Sequence, residues 1–193
     1  MIKLVFATGN NNKVGEIQQI VPGFVKLLSL KDINCNKELP ETQPSIEGNA
    51  SQKAFYVYEN YKCDCFADDT GLEIEALNGR PGVLSARYAG EQKEADDNMN
   101  KVLSEMKGIT NRKARFKTVI SLVIGGIEMQ FKGVVNGTIL TEKRGEKGFG
   151  YDPIFLPDGS SRSFAEMDLE EKNRISHRAL AVSKLVEYLK LLG

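Results

Sequence analysis

The chain has 193 residues, 41% hydrophobic and 27% charged, and its 26 basic and 26 acidic side chains cancel to zero net charge. Such a balance argues against a nucleic acid polymer as partner, which calls for a basic excess or stripe, but leaves room for a local cluster around one small anion. No apolar run approaches the ~20 residues needed to cross a bilayer, and no basic segment with a following apolar stretch opens the chain, so a soluble cytoplasmic protein without a membrane partner is expected.

The run Ile2-Lys3-Leu4-Val5-Phe6 ends in Ala7-Thr8-Gly9-Asn10-Asn11-Asn12-Lys13, and apolar residues recur at Val14, Ile17, Ile20 and Val21. That order predicts strand, loop and helix. Asn10, Asn11 and Asn12 are all suitable helix caps. Backbone N–H groups at a helix start, with Lys13 beside them, form a ready anion site. Neither the Walker spacing nor the three-glycine dinucleotide spacing is present, so a phosphate role and an ordinary capped turn both stay open.

Residues 24–29 predict a short strand, and residues 31–48, with Pro40 and Pro44, a loop. Residues 49–61 have a helical period; Asn49 reads as its cap or as an active-site amide, the cap being the simpler reading. Residues 65–67 predict a short strand ending in the turn-like Asp68-Asp69-Thr70-Gly71. Residues 72–77 alternate before the Asn78-Gly79 turn, and 80–94 form an irregular loop. Residues 96–106 predict a helix closed by Gly108. Two β-rich runs, 115–124 and 127–135, joined by Gly125-Gly126, predict a hairpin. A glycine-rich loop covers 142–152, and candidate caps at Ser163, Asp168 and Ser176 open the last helices. Intermixed strands and helices make the class α/β with a mixed sheet. An odd set of three cysteines, Cys35, Cys63 and Cys65, with a single histidine in the chain, predicts buried thiols rather than disulfides or a zinc site.

Three groups could carry chemistry. Asp68 and Asp69 are adjacent, so an extended chain points them to opposite sides, one able to bind a metal and the other to position or deprotonate water. Glu41 could join them, since magnesium takes oxygen ligands with few protein carboxylates. Asp69-Thr70-Gly71 also matches the aspartic-protease tripeptide, but such enzymes need two copies and only one is present. In Gly145-Glu146-Lys147-Gly148-Phe149-Gly150-Tyr151-Asp152-Pro153 the glycines allow close backbone approach to a ligand and Phe149 could stack on a planar base. At Ser176-His177-Arg178, a neutral imidazole and a guanidinium could both donate to a carbonyl or phosphate oxygen.

Taken in order, these segments resemble the inosine triphosphate pyrophosphatase family, also called dITP/XTP pyrophosphatases. The matching pieces are Thr8-Gly9-Asn10 with Lys13, Glu41-Thr42 through Asn49-Ala50, Ala67 to Leu72, Pro81-Gly82-Val83 with Ser85-Ala86-Arg87-Tyr88, Gly148 to Pro153, Phe164-Ala165-Glu166, Glu171-Lys172-Asn173 and Ile175 to Arg178. The resemblance runs over nearly the whole chain, read as one domain over 1–193. It implies a long mixed β-sheet flanked by helices, in two lobes with a central cleft. It also implies a magnesium-dependent homodimer that hydrolyses ITP, dITP and XTP at the α-phosphorus, giving monophosphate and pyrophosphate and cleansing the nucleotide pool.

By the same resemblance Thr8, Gly9, Asn10, Asn11, Asn12 and Lys13 cradle the phosphates, with Thr70 nearby. Asp69 is the base or the ligand of a water-positioning magnesium. Asp68 and Glu41 support the metal, and Lys172 adds charge near the phosphates. Phe149, with Gly150 and Tyr151 in its loop, stacks on the base, and Asp152, His177 and Arg178 surround its polar edge. A binding protein that has lost hydrolysis, and a triphosphatase for modified pyrimidines, are the competing readings. The intact acids and Lys13 speak against the first, and the Phe149 loop with the Ser176-His177-Arg178 segment speaks against the second.

Overall fold

The computed structural model describes residues 1–18 and 20–192. Among these, six strands form one mixed sheet in the order β2-β1-β3-β4-β5-β6. The strands are β1 (Ile2–Phe6), β2 (Val25–Leu28), β3 (Cys65–Ile74), β4 (Lys113–Ile124), β5 (Ile127–Ile139) and β6 (Phe155–Pro157). β1 pairs in parallel with β2 and with β3, while β6 runs antiparallel to β5. The helices are α1 (Asn11–Gln18), α2 (Ile46–Tyr61), α3 (Ala95–Glu105), α4 (Leu169–Ile175) and α5 (His177–Lys190). The α/β class and the mixed sheet are as expected. No helix among the described residues is long and apolar enough to cross a membrane.

By its internal contacts the chain forms two compact units. Residues 1–69, 118–133 and 178 onward make the first, and residues 70–117 and 134–177 the second.

In the first unit, strand alternation sorts side chains into two apolar layers. Leu4 and Phe6 pack with Ile17 of α1, Phe66, and Ala181 and Leu185 of α5. Val5 and Ala7 pack with Ala54 and Val57 of α2, Cys65 and Ala67. Phe6 and Phe66 sit opposite each other in the β1–β3 register, their rings stacked at 4.7 Å. By the same alternation Asp68 shares the face of Phe66, toward α1 and α5, and Asp69 shares the face of Ala67, toward α2. Gly125 and Gly126 turn the β4–β5 hairpin with φ of +57° and +84°, the two left-handed residues of a tight hairpin turn. Cys35 and Cys65 are buried, and the three cysteines are free thiols.

The second unit has its own core, including Leu72, Ile74, Val102, Phe116, Phe155 and Phe164. Two local expectations fail. Asp68-Asp69-Thr70-Gly71 is not a turn after a short strand: β3 runs through it to Ile74. This strand lies between β1 and β4 in the sheet, meets β1 at Cys65 and Phe66, and is buried along most of its length, so sheet pairing and burial override the turn preference of Asp and Gly. The cap of α2 is Ser45, whose hydroxyl accepts from the Gly48 N–H at 3.0 Å, and Asn49 lies inside the helix.

Candidate active site

The first unit assembles two ionic clusters, one on each side of β3. The first begins with the turn that follows β1. Asn10 Oδ1 accepts from the N–H of Asn12 at 3.0 Å and of Lys13 at 3.4 Å, so Asn10 is the residue that caps the start of α1. Thr8 Oγ1 accepts from the Asn10 N–H at 3.2 Å. Gly9, Asn10, Asn11 and Asn12 are exposed. Lys13, one turn into the helix, reaches Asp68 at 3.0 Å. Asp68 also receives Arg178 Nε at 3.4 Å, and the other side of that guanidinium pairs with Glu16. Glu16, Asp68 and Arg178 are all at most 3% exposed. Buried charges persist only where each is paired, and here anion and cation alternate: Glu16, Arg178, Asp68, Lys13. Burial disfavours the charged form of Asp68, yet Lys13, Arg178 and Lys53 outweigh it and hold the carboxyl far below the usual carboxylate range. Burial pulls Lys13 down, and Asp68 only partly restores it.

The second cluster faces α2. That helix buries Ile46, Asn49, Ala50, Lys53, Ala54 and Val57, a single stripe at helical spacing with two polar members four residues apart. Both aim at Asp69. Lys53 Nζ lies 3.0 Å from Asp69 Oδ1 and 2.5 Å from Glu41 Oε1, and Asn49 Nδ2 lies 3.4 Å from Asp69 Oδ2. The loop carrying Glu41 is laced to the same helix. Asn49 Oδ1 accepts from Gln43 N–H at 2.9 Å, and Gln52 both accepts from Thr42 N–H and donates to its hydroxyl, each at 2.9 Å. Burial raises the Asp69 carboxyl, with Glu41 adding to the rise and Lys53 and Lys13 opposing it. Burial opposes the Lys53 ammonium too, but Asp69, Glu41 and Asp68 outweigh it, and its pKa is raised.

Glu41 and Asp69 therefore already converge on one cationic point. Glu41's side chain is 35% exposed and Asp69's 10%, so both remain reachable from solvent. Two carboxylates that reach one point are a donor set that fits magnesium, which favours one or two protein carboxylates. No group of three or more His, Cys, Asp or Glu side chains gathers as a metal cage among the described residues. Asp68, expected to support the metal, pairs with Lys13 and Arg178, with its side chain fully buried.

The second unit collects the aromatic and glycine-rich residues. Asp152 Oδ2 accepts from the Phe149 N–H at 2.8 Å and from Lys172 Nζ at 2.7 Å. Lys172 also sits over the Phe149 ring, 4.7 Å from its centroid. Gly148 has φ of +74°, and a Cβ there would lie 2.2 Å from Asp152 Oδ2, so any side chain at this position is strained and displaces Asp152. Gly150 and Phe149 are half-buried. Tyr151 is buried, its hydroxyl donating to the Ser85 carbonyl at 2.8 Å, and burial pushes that phenol up. His177 opens α5, with its ring stacked 4.5 Å from Phe116. Thr70, half-buried, also belongs to this unit.

Two expected groupings change. Lys172, assigned to the phosphates, keeps company with Phe149 and Asp152. Arg178, assigned with His177 to the base edge, turns to Asp68 and Glu16 in the first unit. Consecutive residues at the start of α5 point about 100° apart, so His177 and Arg178 serve different clusters. Sequence reasoning missed Lys53 and Glu16. The signal for Lys53 was a charged residue within an apolar helical stripe, four residues after Asn49.

The Ham1 family model matches residues 4–188. A dITP/XTP pyrophosphatase of Flavobacterium johnsoniae is 55% identical, over 97% of this chain and 98% of its own. A dITP/XTP pyrophosphatase of Christiangramia forsetii is 56% identical, over 97% and 99%. Among solved structures, a HAM1 protein from Coxiella burnetii superposes with a TM-score of 0.92 at 35% identity, covering 98% of this chain and 99% of that one.

Proposed function

This chain belongs to the Ham1 family, and from that premise we propose that it hydrolyses deaminated purine nucleoside triphosphates, ITP, dITP and XTP, at the α-phosphorus. The products are nucleoside monophosphate and pyrophosphate. The reading includes magnesium as cofactor, a cytoplasmic homodimer, and free nucleotides as substrates. The observation that carries it is the convergence of Glu41 and Asp69 on the Lys53 ammonium, in the unit that also presents Lys13 and the capped start of α1.

Glu41 and Asp69 are the residues that would hold magnesium. Bound there, the ion would supply positive charge to the phosphoryl oxygens and lower the pKa of a coordinated water. Asp69 is the group placed to take the proton from the attacking water. Lys13 and the N–H groups at the start of α1 offset the triphosphate charge. Asp68 holds Lys13 and Arg178 in place. Lys53 keeps the two carboxylates together and balances their charge.

In the second unit, Phe149 offers its ring to the purine, and Lys172 and His177 offer donors to the carbonyl at position six. Adenine carries an amine there, and a buried donor left facing it costs ~1–3 kcal/mol, one to two decades of discrimination.

The test is a product assay with magnesium, giving ITP, XTP, dITP, GTP and ATP separately. Monophosphate and pyrophosphate, chiefly from the first three, are expected; diphosphate and phosphate would overturn the α-phosphorus chemistry. Chelation of divalent ions is expected to stop turnover and leave the melting temperature unchanged, because Lys53 already bridges the two acids; continued turnover in excess chelator would remove magnesium from the reading. Gly148→Ala is expected to lower kcat/KM for ITP by about 10–100-fold through displacement of Phe149 and Asp152, as steady-state kinetics would reveal.

A further inference from the structure

The loop that carries Phe149 is tied down at its base, well away from Phe149 itself. Arg144 N–H donates to the Pro153 carbonyl at 2.8 Å, closing the loop across its two ends. The loop then lies on the short turn Phe164–Glu166. Lys147 N–H donates to the Ala165 carbonyl at 3.0 Å. Gly145, with φ of +82°, passes so close that a Cβ would lie 2.4 Å from the Ala165 carbonyl. The Ser163 hydroxyl donates to the Arg144 carbonyl at 2.6 Å.

Glu166 closes this arrangement. Its Oε2 accepts from the Ser163 N–H at 2.7 Å, in a capping box, and also lies 3.0 Å from Arg144 Nη2. The same guanidinium nitrogen donates to the Ser161 carbonyl at 2.9 Å. Glu166 thus joins the start of the loop to the turn it rests on. Its side chain is 28% exposed and Arg144's 37%, so the ion pair alone is worth little. Its effect lies in immobilising a loop that would otherwise have to be ordered when a ligand binds.

We propose that Glu166 is a positioning residue for Phe149: through Arg144 and Ser163 it holds the 144–153 loop in the conformation that presents the ring to the purine. The ring's role rests on the functional reading above; the loop's restraint does not.

Glu166→Ala is expected to raise KM for ITP about tenfold while kcat changes less than about twofold. Glu166→Gln is expected to restore part of the lost affinity, because its one oxygen can still accept from Ser163 N–H and Arg144, while the amide nitrogen replaces the oxygen that lies 3.3 Å from the same guanidinium nitrogen. Arg144→Met, which spares the capping box, is expected to repeat the Ala phenotype and serves if Glu166→Ala does not fold. The chain has no tryptophan, so Phe149→Trp supplies a single tryptophan, in the loop, that can be excited apart from the tyrosines. In that background Glu166→Ala is expected to shift emission to the red and increase acrylamide quenching. Unmoved emission and quenching of this fluorophore overturn the proposal, as does an unchanged KM with a lowered melting temperature. If the wild-type protein does not turn over ITP, the functional reading fails, and the fluorescence still decides whether Glu166 holds the loop.

Discussion

Asp69→Asn is expected to cut ITP hydrolysis by about 10²–10⁴-fold, the usual worth of a positioned general base, while nucleotide binding and the fold survive. The amide is isosteric, so the Asn49 and Lys53 contacts lose little geometry, and Lys53 retains Glu41 as an anionic partner. What disappears is what an amide cannot copy: acceptance of a proton, and one negative charge toward Lys53 and a metal. The pH dependence has a definite sign. Burial raises the Asp69 pKa above 3.8 in the metal-free protein, so the carboxylate that binds the metal and accepts the proton is lost as pH falls through the raised value, and activity rises with pH across it. Single-turnover rates against pH, for wild type and variant, test this; a variant with wild-type turnover would remove Asp69 from the mechanism altogether.

Asp68→Asn is expected to be the most destabilising single change in the site, by about 3–5 kcal/mol, because it leaves the buried Arg178 and the half-buried Lys13 with Glu16 as the remaining anion of their chain. For a chain of this size that lowers the melting temperature by roughly 6–20 °C. The linkage follows from the depressed pKa of Asp68. Its contribution is fully present above the unfolded value of about 3.8 and is lost as pH falls through the depressed folded value. Stability measured by denaturant titration should therefore fall less steeply below pH 3.8 in Asp68→Asn than in wild type. A variant as stable as wild type at neutral pH would mean that the two cations find water or other partners.

The two aspartates, adjacent in sequence, are thus expected to fail differently, one in chemistry and one in folding. β-strand alternation is the cause. It sends Asp68 toward Lys13 and Arg178, and Asp69 toward Lys53, Asn49 and Glu41.

Local pattern alone determined much of this protein. The apolar periods of β1, α2, α3 and α5, the Gly125-Gly126 hairpin turn, the cap at Ser163 and the capping box at Asp168 are short-range features, and each stands where its residues predicted. Opposed directions for Asp68 and Asp69 also follow from an extended chain. Tertiary structure decided the rest. Asp68 to Gly71 carry turn-forming residues, yet burial within the sheet keeps them in β3. Asn49 sits near a helix start, but Ser45 takes the cap and frees it for Asp69. Lys53 and Glu16 look like surface charges until their partners, 16 and 162 residues away, arrive beside them. Arg178 follows His177 directly and still belongs to another cluster. A charge's role depends on which counter-charge the fold buries with it, and that pairing is a long-range property that no local window contains.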